Sequence, residues 1–309
     1  MILTILKIAA IVLASFIVVP ILAVWLIGDH GKIYPSTWKG FWAGGWRSVF
    51  TLNGLHLYIY GRWTNKYLHW LIHKSLPHQN KKDHKHWSDH YHGKVLTHEE
   101  AKAMMMLDHD ILNHDLEHII PYPIVRDLVM KGPPEVVAYE CACRHSRPHH
   151  CEPTQVCMIV GQPFVDFILE HHPDSSRKLT KEEAVTLLKE EHERGHLHSA
   201  WFKDACLNRF YCICNCCKCC CGGIEAMVKY GSPMMASSGY VVKIDEQRCS
   251  SCGTCVEACP FNALLIDNIS TLNWEKCMGC GVCTSQCPSE AITLIRDERK
   301  GTPLDVRLM

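Results

Sequence analysis

The chain has 309 residues, 47% of them hydrophobic and 21% charged, and its 32 basic and 32 acidic side chains cancel to a formal net charge of zero. That length has room for about two domains with packed cores, and balanced charge without a long basic tract gives no electrostatic support for a nucleic-acid partner. Its 20 cysteines fall mostly in C-x-C, C-C or C-x2-C runs, a pattern that favours metal ligation in a reducing compartment over a disulfide framework.

Residues 1–28 are almost wholly apolar around one charge, Lys7. A helix of ~24 such residues reaches ~36 Å, enough to cross a bilayer with some tilt. No good small-x-small cleavage site and no twin-arginine motif marks a removable leader, so an uncleaved transmembrane anchor is expected. Lys32, Lys39 and Arg47 follow it, and the positive-inside rule then places the body of a single-pass cell-membrane protein on the cytoplasmic side.

Residues 29–119 form an interfacial and histidine-rich segment. Its aromatic residues, including Trp38, Phe41, Trp42, Trp46, Phe50, Tyr58, Tyr60, Trp63, Tyr67 and Trp70, are interleaved with polar ones, a mix that settles at lipid headgroups. Ordinary core aromatics are the alternative. His69 with His73, and His114 with His118, sit four apart and would share a helix face, a spacing open to metal or haem. Solvated histidines are the plainer reading, and the chain has no C-x-x-C-H motif. Thr97 and Glu100 form a capping box that opens a helix through Met104, Met105 and Met106.

Residues 120–237 carry a second cysteine pattern. Cys141, Cys143 and Arg144 are followed by Cys151 and Cys157, and then by Cys212, Cys214, Cys216, Cys217, Cys219, Cys220 and Cys221, which lead into Gly222 and Gly223. Between the patches a capping box at Thr180 and Glu183 starts a helix that Gly195 ends. His192 and His196 satisfy the string H-E-x-x-H, yet a helix that stops at Gly195 cannot present both imidazoles on one face, so peptidase chemistry is not expected. Neighbouring side chains point apart, so the cysteine string either divides its thiolates between two sites or holds an unusual cluster. The alternatives are a zinc-stabilised fold and a set of free buried thiols. Arg144 would help offset the negative charge of a thiolate cluster, and Cys206, standing alone, reads as a small core residue.

In residues 238–309 one motif is written twice. Cys249, Cys252, Cys255 and Cys259 recur 28 positions later as Cys277, Cys280, Cys283 and Cys287, each run ending in Cys-Pro. C-x2-C-x2-C-x3-C-P is the spacing of two [4Fe-4S] clusters in which the last cysteine of each run serves the other cluster. One set is therefore Cys249, Cys252, Cys255 and Cys287, and the other Cys277, Cys280, Cys283 and Cys259. Gly253 and Gly281 follow the second cysteine of each run, where the backbone must turn. Short strands are expected at 240–244, 263–266 and 291–295. A zinc ribbon would instead use paired C-x2-4-C arms.

This segment resembles the bacterial-type two-cluster ferredoxins over about residues 238–297. The central block, from about 120 to 295, resembles a family of iron-sulfur proteins of anaerobic microbes in which a C-x-C-R segment, a helical insert and a C-N-C-C-x-C-C-C string precede such a module. The matching positions are Cys141, Cys143, Arg144, Cys151, Cys157, Gly195, His198 and Cys214 to Gly222. That resemblance implies extra metal ligation, most simply further iron-sulfur.

The expected fold is α+β: an N-terminal transmembrane helix, a mostly helical cysteine-rich middle domain and a C-terminal ferredoxin-like module with pseudo-two-fold symmetry. The expected function is membrane-anchored electron transfer through two [4Fe-4S] clusters and one or more central clusters, with redox proteins, a membrane complex and the lipid bilayer as partners. No dinucleotide fingerprint, P-loop or nucleophile elbow is present. The protein therefore reads as an electron-transfer component of an oxidoreductase rather than a stand-alone enzyme. The alternative is a reductase whose central cluster is itself the catalytic site.

Overall fold

The computed structural model describes residues 2–32, 34–45 and 53–309, with the side chains of all of these except 13, 17, 20, 21, 24 and 25. Trp46, Arg47 and Phe50 lie outside the described residues.

The strands are β1 (Tyr91–Leu96), β2 (Ile111–Asn113), β3 (Leu128–Met130), β4 (Val136–Tyr139), β5 (Cys157–Val160), β6 (Ser176–Leu179), β7 (Leu197–Lys203), β8 (Arg209–Cys216), β9 (Met235–Ala236), β10 (Tyr240–Ile244), β11 (Leu264–Asp267), β12 (Ile269–Leu272) and β13 (Ile292–Arg296). Seven of them form one sheet in the order β6-β4-β5-β8-β7-β1-β9, antiparallel except where β9 runs parallel to β1. The middle domain is therefore built on a sheet, against the expectation that it is mostly helical. The reason lies in burial. Strands such as β4 and β7 are buried along their whole length, so they lack the alternation that marks a half-buried strand. The sheet draws its strands from both sides of residue 120.

One face of the sheet packs against helices Pro35–Trp42, Asn53–Arg62, Thr64–Trp70 and Phe164–His171, with Phe41, Leu57, Tyr60, Phe167 and Tyr211 in the core. The other packs against helices His98–Met105 and Lys181–Glu193 through Ala101, Met104, Leu187, Leu188 and Ile213. Both of these helices open on the expected capping boxes, at Thr97 with Glu100 and Thr180 with Glu183, each worth about 1 kcal/mol. Met104 and Met105 are buried while Met106 is exposed.

The aromatic residues of the 29–119 segment are mainly core rather than a lipid-facing belt. Phe41, Tyr58 and Tyr60 are buried, and the Tyr58 hydroxyl donates to Asp29 Oδ1 at 2.6 Å. Trp42 and Trp70 remain exposed. The rings of His69 and His73 stand 4.5 Å apart, whereas His114 and His118 lie outside any helix.

The expected transmembrane anchor requires correction. Residues Ile2–Ala23 are helical, but among the described residues no helix is long and apolar enough to cross a membrane. Beyond Ala23 the α-helical pattern gives way to a π turn at Val24–Gly28. The single-pass membrane location that rested on this helix falls with it.

In the C-terminal module, β10 from the first half pairs antiparallel with β13 from the second, which interlocks the repeat. β11 and β12 form a hairpin between the halves. The module is tied to the sheet domain by Lys218 Nζ donating to the Glu257 carbonyl at 2.9 Å and Gln286 Nε2 donating to the Glu193 carbonyl at 3.1 Å.

Candidate metal-cluster sites

The two halves of the C-terminal module repeat in atomic detail. Gly253 and Gly281 have φ of 83° and 78° and start the short helices Thr254–Ala258 and Val282–Ser285. A side chain there would be strained. The Ala263 N–H donates to Cys259 Sγ at 3.3 Å, and the Ala291 N–H donates to Cys287 Sγ at 3.4 Å. Such N–H···S contacts, aimed at soft thiolate donors, are what an iron-sulfur cluster needs around it.

Electrostatics places the cysteines across the repeat. Burial pushes the Cys280 thiol up to about 12, with Cys259 and Cys277 adding to the shift. Burial likewise raises Cys283, again with Cys280, Cys259 and Cys277 close enough to contribute. Cys259 of the first run thus lies near Cys280 and Cys283 of the second, and Cys255 also acts on Cys283. On the other side, Cys252 acts on Cys287. The two groups differ in access: Cys259, Cys277, Cys280 and Cys283 are all buried, whereas in the other set Cys255 is buried, Cys252 is exposed and Cys249 and Cys287 are partly so.

The central cysteines separate into two groups. Cys141, Cys143, Cys157, Cys212, Cys214, Cys216 and Cys221 line one cavity of about 100 Å³. Period-2 alternation along β8 turns Cys212, Cys214 and Cys216 to the same side, and the start of helix Gly222–Tyr230 brings Cys221 to meet them. Sγ atoms lie 3.6 Å apart for Cys212 and Cys214 and 3.3 Å for Cys216 and Cys221. Further thiol contacts join Cys221 to Cys143, Cys143 to Cys141, Cys141 to Cys157, Cys157 to Cys214 and Cys214 to Cys216, so the thiols close into a ring. Hydrogen bonds from Cys141 and Cys221, helped by the Gly222 N–H, hold Cys143 well below the ordinary thiol value. Hydrogen bonds from Cys141, Cys212 and Cys214 do the same for Cys157. The same hydrogen bonds push their partners Cys141, Cys214 and Cys221 well above it, and the thiolate is the form that binds metal. Gly222 and Gly223 permit the close approach: a Cβ on either would come within 2.8 Å of Ile72 or 2.7 Å of Trp201.

Cys151, Cys217, Cys219 and Cys220 make the second group, with all four Sγ atoms within 4.8 Å of one another. Thiolates on one tetrahedral ion at ~2.3 Å stand about 3.8 Å apart, so this spacing suits a single metal ion better than the separate corners of a cubane. Cys217 and Cys220 also line the ring's cavity.

Arg144 lies between the two groups, fully buried, with Cys217 and Cys141 both acting on its charge. Its guanidinium donates to Glu191 Oε2 at 2.9 Å, to the Asn215 carbonyl at 3.3 Å and to the Pro153 carbonyl. Burial opposes ionisation of Glu191, but His196 and Arg144 outweigh it and hold the carboxyl below its usual range. His196 therefore serves this network and does not share a helix face with His192, whose helix ends at Glu193. Cys206 belongs to neither group and is buried in the core, where burial pushes its thiol up. Lys218 and Glu191 carry no sequence signal of their own, whereas Asn215 is the asparagine of the C-N-C-C-x-C-C-C string. Lys218 and Glu191 were not expected in the site.

Residues 242–265 and 271–293 match the 4Fe-4S binding domain family. The chain thus carries a domain for binding 4Fe-4S clusters, which makes it an iron-sulfur protein. No match is found among curated proteins.

Proposed function

We propose that this protein relays single electrons between redox partner proteins, as an electron-transfer component rather than a stand-alone enzyme. In this reading Cys249, Cys252, Cys255 and Cys287 hold one [4Fe-4S] cluster and Cys277, Cys280, Cys283 and Cys259 the other. The ring of seven central thiols holds a further iron-sulfur cluster, and Cys151, Cys217, Cys219 and Cys220 hold one tetrahedral iron or zinc ion. Bound there, iron-sulfur centres supply one-electron storage over a wide range of potentials.

The observation that carries the proposal is the graded access of the thiol groups. Cys252 at the surface offers a docking point, Cys259 and Cys283 lie buried behind it, and Lys218 joins the module directly to the string that bears Cys217 and Cys219. Arg144 offsets thiolate charge on both central groups at once. Iron and acid-labile sulfide per chain, measured on anaerobically purified protein, test the reading. The expected count exceeds the roughly eight irons of two cubanes and falls toward eight in Cys214→Ala. A wild-type count that stops at eight removes the central cluster from the proposal.

A second reading, a reductase with its reacting centre at the thiol ring, is favoured by the remainder of the cavity. Leu57, Phe164, Tyr60, Tyr91 and Tyr211 line it beside the cysteines, and the hydroxyls of Tyr60 and Tyr211 lie 2.7 Å apart. Carbon monoxide or cyanide added to the reduced protein separates the readings. A change in the central paramagnetic signal supports the reductase, and an unchanged signal supports the relay.

A further inference from the structure

His98 meets His192 and His198, from about a hundred positions later in the chain, on the opposite side of β8's end from the thiol ring's apolar wall. His98 is the first residue of helix His98–Met105, His192 is in the last turn of helix Lys181–Glu193, and His198 is on β7. One ring nitrogen of each lies within 4.8 Å of the other two. The closest approach is His98 Nδ1 to His198 Nε2, 3.2 Å. His192 stacks on His98 with ring centroids 4.6 Å apart and lies 5.8 Å from His198.

The surrounding hydrogen bonds fix which nitrogen is free. Asn215 Nδ2 donates to the Val156 carbonyl at 2.8 Å, which turns its Oδ1 toward His198 Nδ1 at 2.6 Å. The amide oxygen can only accept, so Nδ1 carries the proton and Nε2 presents its lone pair to the other two histidines. An outer amide or carbonyl that fixes the tautomer of a ligating imidazole is a regular part of metal sites. Ligand atoms on a tetrahedral ion with Zn–N of 2.0–2.1 Å stand about 3.3 Å apart, close to the separation of His98 and His198.

We propose that His98, His192 and His198 form a binding site for a divalent transition-metal ion of zinc's class, with a fourth position left to water or another small donor. All-nitrogen ligation separates it in kind from the sulfur sites. Its place in the fold gives it a consequence. His198 is the cross-strand partner of Asn215, and Asn215 sits between Cys214 and Cys216, so the ion braces the strand end that carries two thiols of the ring.

The test uses full-length, anaerobically purified protein loaded with Zn²⁺ alone and stripped of loosely held metal. Wild type is expected to retain one more zinc per chain than His98→Ala or His192→Ala, with iron per chain unchanged in both variants. The zinc absorption edge of wild type should show imidazole nitrogen at 2.0–2.1 Å, and this component should be missing from the variants. Equal zinc in all three proteins, or a wild-type spectrum containing only sulfur at ~2.3 Å, overturns the proposal. The wild-type spectrum alone decides the matter should either variant lose iron through misfolding.

Discussion

The C-terminal module and the central domain gather thiols in opposite ways. In the module, two loops of one repeated motif supply eight cysteines, and short helices begun by Gly253 and Gly281 set their directions locally. In the central domain, the ring takes Cys157 from β5, Cys212, Cys214 and Cys216 from β8, and Cys141, Cys143 and Cys221 from helix starts. The first arrangement is contained in residues 249–287, in two short loops of one motif. The second exists only when the sheet is formed, so its ligands are as stable as the tertiary structure and no more.

Charge follows the same division. The central domain holds Arg144 and Glu191 with side chains 1% and 0% exposed, whereas the module's Arg248 and Glu290 pair at 52% and 84% exposure. Breaking a buried pair leaves an uncompensated charge, at a cost of about 3–5 kcal/mol. Exposed pairs contribute about 0–1 kcal/mol. Arg144→Met is therefore expected to lower the denaturation midpoint of the central domain sharply and to release its iron, while Arg248→Met leaves both close to wild type. Similar effects of the two substitutions in urea titrations followed by tryptophan fluorescence would erase the distinction.

The contrast also explains what could be read from the sequence. The module's glycine turns, its strands and the capping boxes at Thr97 and Thr180 depend on neighbours within about five positions, and the structure has them within a residue of where the pattern places them. The seven-stranded sheet depends on pairings such as His198 with Asn215 and Val136 with Leu179, which no local pattern encodes. Its two-sided burial hid the strands. The separation of the central cysteines into two groups was suggested by the clash of adjacent side chains, but membership was not, because Cys151 joins Cys219 across 68 positions at 3.0 Å. The apolar start was read by length and composition alone, and those do not report the π turn that follows it.

Acid offers a gentler way to separate the two regions, because the last histidine of the chain is His198 and residues 238–309 contain none. His92 on β1 is buried, with its ring stacked 3.8 Å from Tyr122 and Nδ1 2.7 Å from the Ser88 carbonyl. Burial pushes it down to about 4. The folded form therefore binds fewer protons than the unfolded chain between pH 6.5 and 4. Its contribution is fully present above pH 6.5 and is lost as pH falls toward 4, at up to about 1.4 kcal/mol per unit. His92→Gln should flatten this slope in the central domain's unfolding free energy, with no change in the module's. An equally steep acid dependence in the variant would assign the sensitivity to other groups.

The smallest effect on the fold is expected from Cys252→Ser, which alters an exposed side chain of the module. Its thiol shares a contact with Thr254 Oγ1 at 3.4 Å, so the apoprotein should lose less than about 0.5 kcal/mol. Cluster content should nevertheless change in a specific way. Since Cys252 acts on Cys287 while Cys259 lies near Cys280 and Cys283, the loss should fall on one cubane signal, with the buried one and the central centres retained. Paramagnetic resonance of the reduced variant measures this directly. Loss of both cubane signals together would mean that the module's two groups assemble as one unit, and the local independence inferred from its sequence repeat would not hold.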